Sequence, residues 1–127
     1  MDYRDLNKQT IKDRYPLPRI DAILNGMARS KWFTKLDLHS TFHQVRMYAP
    51  DEHKTAFNTS HGSSAWKVMP FRLTNAPSTF QRMMDQVLKD LVRTGGVSVF
   101  IVDIIVFTPG DESEHMVRVM AVLEQLQ

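Results

Sequence analysis

Two aspartates stand inside apolar, β-rich runs: Asp37 in "KLDL" (35–38) and Asp103 in "VSVFIVDIIVF" (97–107). A lone carboxylate amid so much apolar chain is costly to desolvate unless a partner offsets it. The two lie 66 residues apart (103 − 37). If their strands are neighbours, both carboxylates converge at one edge of a sheet. Carboxylates that close repel unless a cation or a shared proton relieves them. Hard oxygen ligands favour Mg²⁺ or Mn²⁺. Two such ions about 3.5–4 Å apart stabilise both the attacking and the leaving oxygen in phosphoryl transfer. An aspartate at a strand end also serves as a turn or cap residue, so spacing alone leaves both readings open. A tight turn near Val102–Asp103 carries neither the Gly nor the Asn that two-residue hairpins prefer. That is odd for a purely structural turn.

Other chemistry is thin. The five histidines, His39, His43, His53, His61 and His115, share no ligand spacing. They read as surface or turn residues, with His43 packed beside the strand-end site. No Ser-His-Asp pattern stands out, and "NGMARSK" is not a P-loop. The absence of cysteine excludes disulfides and thiolate metal sites.

The elements that must position the aspartates follow from periodicity. Ile20, Ile23, Leu24 and Met27 at helical spacing predict a short helix over 19–27. Residues 31–38 have strand composition. "STFHQVRM" reads as a helical turn leading into a strand at 45–47. Residues 54–71 read as a hairpin, with Thr55–Thr59 and Ala65–Met69 flanking a His-Gly-Ser-Ser turn. Phe80, Met83, Met84, Val87, Leu88 and Leu91 mark one amphipathic helix over 74–92. Thr74 or Asn75 is placed to cap it, Pro77 fits its first turn and Gly95-Gly96 ends it. "VSVFIV" and "IIVF" form two strands hinged near Val102–Asp103. Asp111 caps a last helix with Met116, Val119, Met120, Leu123 and Leu126 on its apolar face. Residues 1–19 mix both charge signs, and "YPLPR" is too proline-rich for a regular element. The sum is an α+β chain, with helices on one face of a mostly antiparallel sheet.

At 127 residues, 43% hydrophobic and 24% charged, the chain has the composition of one globular domain. A net charge of +2 and a pI of about 9.0 permit a polyanionic partner without requiring one. No apolar run approaches the roughly 18 residues that span a bilayer, and the polar start is no signal peptide. An intracellular protein without membrane contact is the expectation.

The segments "DYRDLNKQTIKDRYPLPRID", "KLDLHSTFHQVRM", "KTAFNT", "VMPFRLTNAPSTFQRMMDQVL" and "FIVDIIVF", in this order and spacing, resemble the reverse transcriptase domain of Gypsy/Ty3-class long-terminal-repeat retrotransposons. The resemblance covers nearly the whole chain. It implies a partial right-hand polymerase: residues 1–127 as one domain holding part of the fingers and most of the palm. Upstream fingers, thumb, connection and ribonuclease H would lie outside it. It further implies RNA-directed DNA polymerase chemistry with Mg²⁺ or Mn²⁺ as cofactor. The implied partners are an RNA or DNA template with primer, dNTP and the rest of a Pol polyprotein. By the same resemblance Asp37 and Asp103 are catalytic metal ligands. Phe42 is the ring that excludes a ribose 2′-OH. Thr41, Lys54, Phe71 and Arg72 line the nucleotide site. Asn75, Pro77, Phe80 and Gln81 face template and primer.

Three departures stand out. The family's metal hairpin reads aromatic-any-Asp-Asp, whereas here it reads Phe100-Ile101-Val102-Asp103. An isopropyl group offers no lone pair. The family also usually has Gly where Thr41 and Arg72 stand. The chain is therefore expected to be an inactive or impaired reverse transcriptase. The alternatives are a non-catalytic nucleic-acid-binding remnant and a decayed reading frame.

Overall fold

A computed structural model describes residues 2–127. Helices α1 (Arg4–Gln9) and α2 (Ile20–Met27) precede strand β1 (Trp32–Asp37). Two 3-10 turns follow, Thr41–Gln44 and Ala49–Thr55, then strands β2 (Phe57–Thr59) and β3 (Gly62–Ser64). Helices α3 (Ala76–Val87) and α4 (Lys89–Arg93), strands β4 (Val97–Phe100) and β5 (Asp103–Thr108) and helix α5 (Glu112–Gln125) complete the chain.

The main sheet is antiparallel in the order β1-β5-β4. Its pleat sorts side chains by parity. Val97, Val99, Ile104 and Val106 face inward and are buried against Phe80, Met84 and Leu88 and against Val119 and Val122 of α5. Full burial of such a side chain contributes roughly 1.5–3 kcal/mol. The opposite face carries Phe33, Lys35 and Asp37 of β1 opposite Phe107, Ile105 and Asp103 of β5. Helices α3 and α5 pack on the inward face, as the α+β reading expects, while Gly26 of α2 lies close to the Phe107 ring on the other.

Five local differences have physical causes. The helix expected over 74–92 breaks at Leu88 (φ −103°, ψ 15°), and its two parts both reach β4. The hairpin turns at Ser60-His61, earlier than expected, because Gly62 adopts a φ of 122°. Thr59 Oγ1 also donates to Gly62 O and accepts from His61 N. The strands expected at 45–47 and 65–69 shrink to a single bridge, Arg46 with Val68. Helix α1 forms ahead of the proline-rich 15–19 stretch, where no element is assigned from the sequence, with Asp5 in its first turn and Lys8 in its last, as the helix dipole favours. Finally, α5 buries His115, Val119 and Val122, while Met116 and Met120 are each 50% exposed. His115 is thus no surface residue. Its ring nitrogens bond Thr34 Oγ1 at 2.6 Å and Thr108 Oγ1 at 2.8 Å, which fixes the rotation of α5 over the sheet.

Candidate metal and nucleotide site

Asp37 and Asp103 are directly opposed in the β1–β5 register. Opposed residues share a face, with Cβ atoms about 4.5–5.5 Å apart. Their meeting was legible from two strand-end carboxylates. A third charged group was not foreseen: Lys35 Nζ lies 3.5 Å from Asp103 Oδ1. It reaches there because Lys35 opposes Ile105, which makes Asp103 its diagonal neighbour.

Phe100 pairs with Asp103 across a two-residue turn, Ile101-Val102. The hinge thus falls one residue earlier than expected. Two-residue hairpins require a left-handed first residue, and Ile101 supplies it at φ 55°. A β-branched residue there is a genuine outlier. Gln81 holds it: its Oε1 accepts from Ile101 N at 2.6 Å and its Nε2 donates to Val99 O at 3.2 Å and to Asp85 Oδ1 at 2.9 Å. Val102 O accepts from Leu38 N at 3.3 Å, which brings the Val102 backbone beside Asp37.

Phe42 stands in the 3-10 turn that follows β1. Its ring meets the edges of Phe71 (5.5 Å) and Phe80 (5.9 Å). Phe71 is 54% exposed, so this cluster opens to solvent on one side. His43 stacks on Trp66 at 5.1 Å, and its buried Nε2 has no hydrogen-bond partner among the described residues. Ser40 and Arg72 both have left-handed backbones (φ 51° and 71°). The glycine that the resemblance places at Arg72 would relieve that geometry. At Thr41 no such strain exists.

Several residues grouped with the ligands are engaged inside the fold instead. Thr41 is 4% exposed, and its hydroxyl donates to Leu38 O. Phe80 and Gln81 are buried in the core, so neither reaches a template; they position Phe42 and the hairpin turn. Asn75 Oδ1 accepts from Asp13 N and Nδ2 donates to Ile11 O. That use explains why Asn75 precedes α3 without capping it through its side chain. Pro77 fits the first turn of α3 as expected. Lys54 lies outside the hairpin, in the second 3-10 turn, and pairs with Asp51 at 2.8 Å. With Asn75 it lines a cavity of about 630 Å³ that neither Asp37 nor Asp103 borders.

The donor set tests the metal expectation. Among the described residues no cluster of three or more His, Asp or Glu side chains is suited to hold a metal ion. Two opposed carboxylates suit one Mg²⁺, which takes one or two carboxylates and completes its shell with water and phosphate oxygens. A pair of ions needs a further carboxylate, and the Val102 side chain has no oxygen.

A helix-backed antiparallel sheet with paired acids at a hairpin tip is the palm arrangement of a nucleic-acid polymerase. The family description "Reverse transcriptase (RNA-dependent DNA polymerase)" matches residues 1–127, and the chain belongs to that family. It is 44% identical over 127 residues to the Pol polyprotein of transposon opus and 41% identical over 126 residues to that of transposon 297, both of Drosophila melanogaster. These matches place it with Gypsy/Ty3-type elements. Each covers 99% of this chain but 12% of the polyprotein. An RNA-directed DNA polymerase homolog of Oenothera berteroana is 45% identical over 115 residues, 91% of this chain and 80% of the homolog. A foamy viral protease–reverse transcriptase, solved in complex with an RNA/DNA hybrid, superposes with a TM-score of 0.86 at 26% identity. That match covers 98% of this chain and 16% of the viral one. Reverse transcriptases as a family depend on divalent metal. No helix of the described residues is long and apolar enough to cross a membrane.

Proposed function

We propose that this chain is the palm, with part of the fingers, of a retrotransposon RNA-directed DNA polymerase whose catalytic power is strongly reduced by Val102. The carrying observation is the hairpin tip, where Asp37 and Asp103 are opposed and the intervening turn residue has an apolar side chain. Asp37 and Asp103 would hold Mg²⁺ or Mn²⁺. When bound, such an ion neutralises charge developing on phosphate oxygens. The chain's own residues do the rest. Gln81 holds the turn that sets Asp103, and Phe42, braced by Phe71 and Phe80, presents a ring against the sugar of an incoming dNTP. The exposed sheet face receives primer and template, recognised by shape and backbone charge rather than by base sequence.

Loss of a group that merely orients a metal ligand costs about 10- to 100-fold, so loss of a ligand costs at least that. Primer extension is the test, with this segment carried in a complete related polymerase. Val102→Asp should raise the Mg²⁺-dependent rate by at least about tenfold. Equal rates for the parent segment and the Val102→Asp variant would overturn the reading. Activity in neither form, with the related polymerase itself active, would place the defect elsewhere.

A further inference from the structure

Lys35 is a cation on the same face as both carboxylates, and nothing in the proposed chemistry uses it. Its Nζ lies 3.5 Å from Asp103 Oδ1. The lysine side chain is 64% exposed and the aspartate 34%. Among the described residues no other ion pair involves Asp37 or Asp103. Two like charges opposed across a β-ladder destabilise the pairing, and a cation within about 4–6 Å relieves them. Strand geometry makes the contact systematic. Residues two apart on a strand share a face, and diagonal neighbours fall within reach of long side chains.

We infer that Lys35 is the resident counter-ion of the Asp37–Asp103 pair, a positioning residue that holds Asp103 without metal and must yield its place before a divalent cation binds. This rests on the reading of the two aspartates as metal ligands. The lysine therefore opposes metal binding by charge competition at one oxygen of Asp103. Its influence is largest in this chain, where two carboxylate charges face one ammonium. An acid at position 102 would leave a donor that Lys35 does not engage.

Exposed ion pairs are weak, so the expected effect is modest. Mn²⁺ affinity, read by electron paramagnetic resonance of the free ion, separates the cases on the 127-residue chain. Lys35→Met should tighten Mn²⁺ binding about two- to fivefold at low salt. Lys35→Arg, which keeps the charge, should leave it near the parent value. The difference should shrink as ionic strength rises, because exposed charges are screened over about 10 Å at 0.1 M salt. In the Val102→Asp background the Lys35→Met gain should be smaller. Unchanged or weaker binding in Lys35→Met overturns the counter-ion role, as does an equal gain in Lys35→Arg. If Val102→Asp and Asp103→Asn leave Mn²⁺ affinity alike, the metal reading itself fails, and the Lys35 role falls with it. Lys35 is exposed, so these variants leave the core intact; circular dichroism confirms it.

Discussion

Arg72 occupies a left-handed backbone (φ 71°) with its carbonyl accepting from Asn7 Nδ2 at 2.8 Å. A residue with a Cβ loses roughly 1–2 kcal/mol in that region, while glycine loses roughly 0.5–1 kcal/mol of backbone entropy on folding. The first effect is larger. Arg72→Gly should therefore raise stability by about 0.5–1 kcal/mol, seen as an upward shift of the urea midpoint at unchanged slope. The Asn7 bond survives, since it uses the backbone. The departure at Arg72 was visible in the sequence, but its meaning was not, because φ is no function of one residue's identity. At Thr41 the same kind of departure carries no strain at all. The pairing of Asp37 with Asp103 was legible because both acids interrupt apolar strands. Lys35 was not, because its role needs the register that makes it diagonal to Asp103.

Elements were legible where periodicity was long and blurred where a few tertiary bonds decide. The α3 face emerged from its repeat of Phe80, Met84 and Leu88. The rotation of α5 did not, because His115 counts as polar in any apolar pattern yet is 4% exposed. Its two threonine bonds draw that face inward and turn Met116 and Met120 out. Two substitutions separate the alternatives. His115→Leu leaves the Thr34 and buried Thr108 hydroxyls unpaired and should cost about 1–3 kcal/mol. Met116→Lys, on the exposed face, should stay within about 0.5 kcal/mol. Chemical denaturation of both variants checks the order, and the reverse order would mean that α5 is turned the other way. The β4–β5 turn was displaced for a related reason: Ile101 is a poor turn residue, and only buried Gln81 makes it workable.

Across the whole molecule, the polar N-terminal segment is tied to the palm rather than left as solvated chain. Asn7 bonds Arg72 O and Thr74 N, and Asn75 holds Ile11 and Asp13. Arg82 pairs with Asp13 at 2.8 Å, and Tyr15 donates to Asp85 Oδ2 at 2.5 Å. The Asp85 hydrogen bond first, then burial and the Asp85 charge, raise the Tyr15 pKa above its ordinary 10.0. A group with a raised folded-state value contributes stability below its unfolded value and loses that contribution as pH climbs through the folded one. The Tyr15 tie should therefore persist to about pH 10 and fail above it. Tyrosinate absorbance should show a late-titrating group that Tyr15→Phe removes. A titration unchanged by that substitution would refute the tie. Gln81 has one more effect at this scale. Among the described residues strand β4 has a strand partner on one side only, and at its other edge Val99 and Gln81 of α3 are buried together. The Gln81 amide donates to Val99 O and accepts from Ile101 N, as a residue of a neighbouring strand would. An unpaired strand edge is a template for pairing with another chain, and here a helix side chain takes up those backbone groups inside the fold. Gln81→Leu leaves Val99 O and Ile101 N unpaired in the interior and should cost about 1–3 kcal/mol, read as a lower urea midpoint.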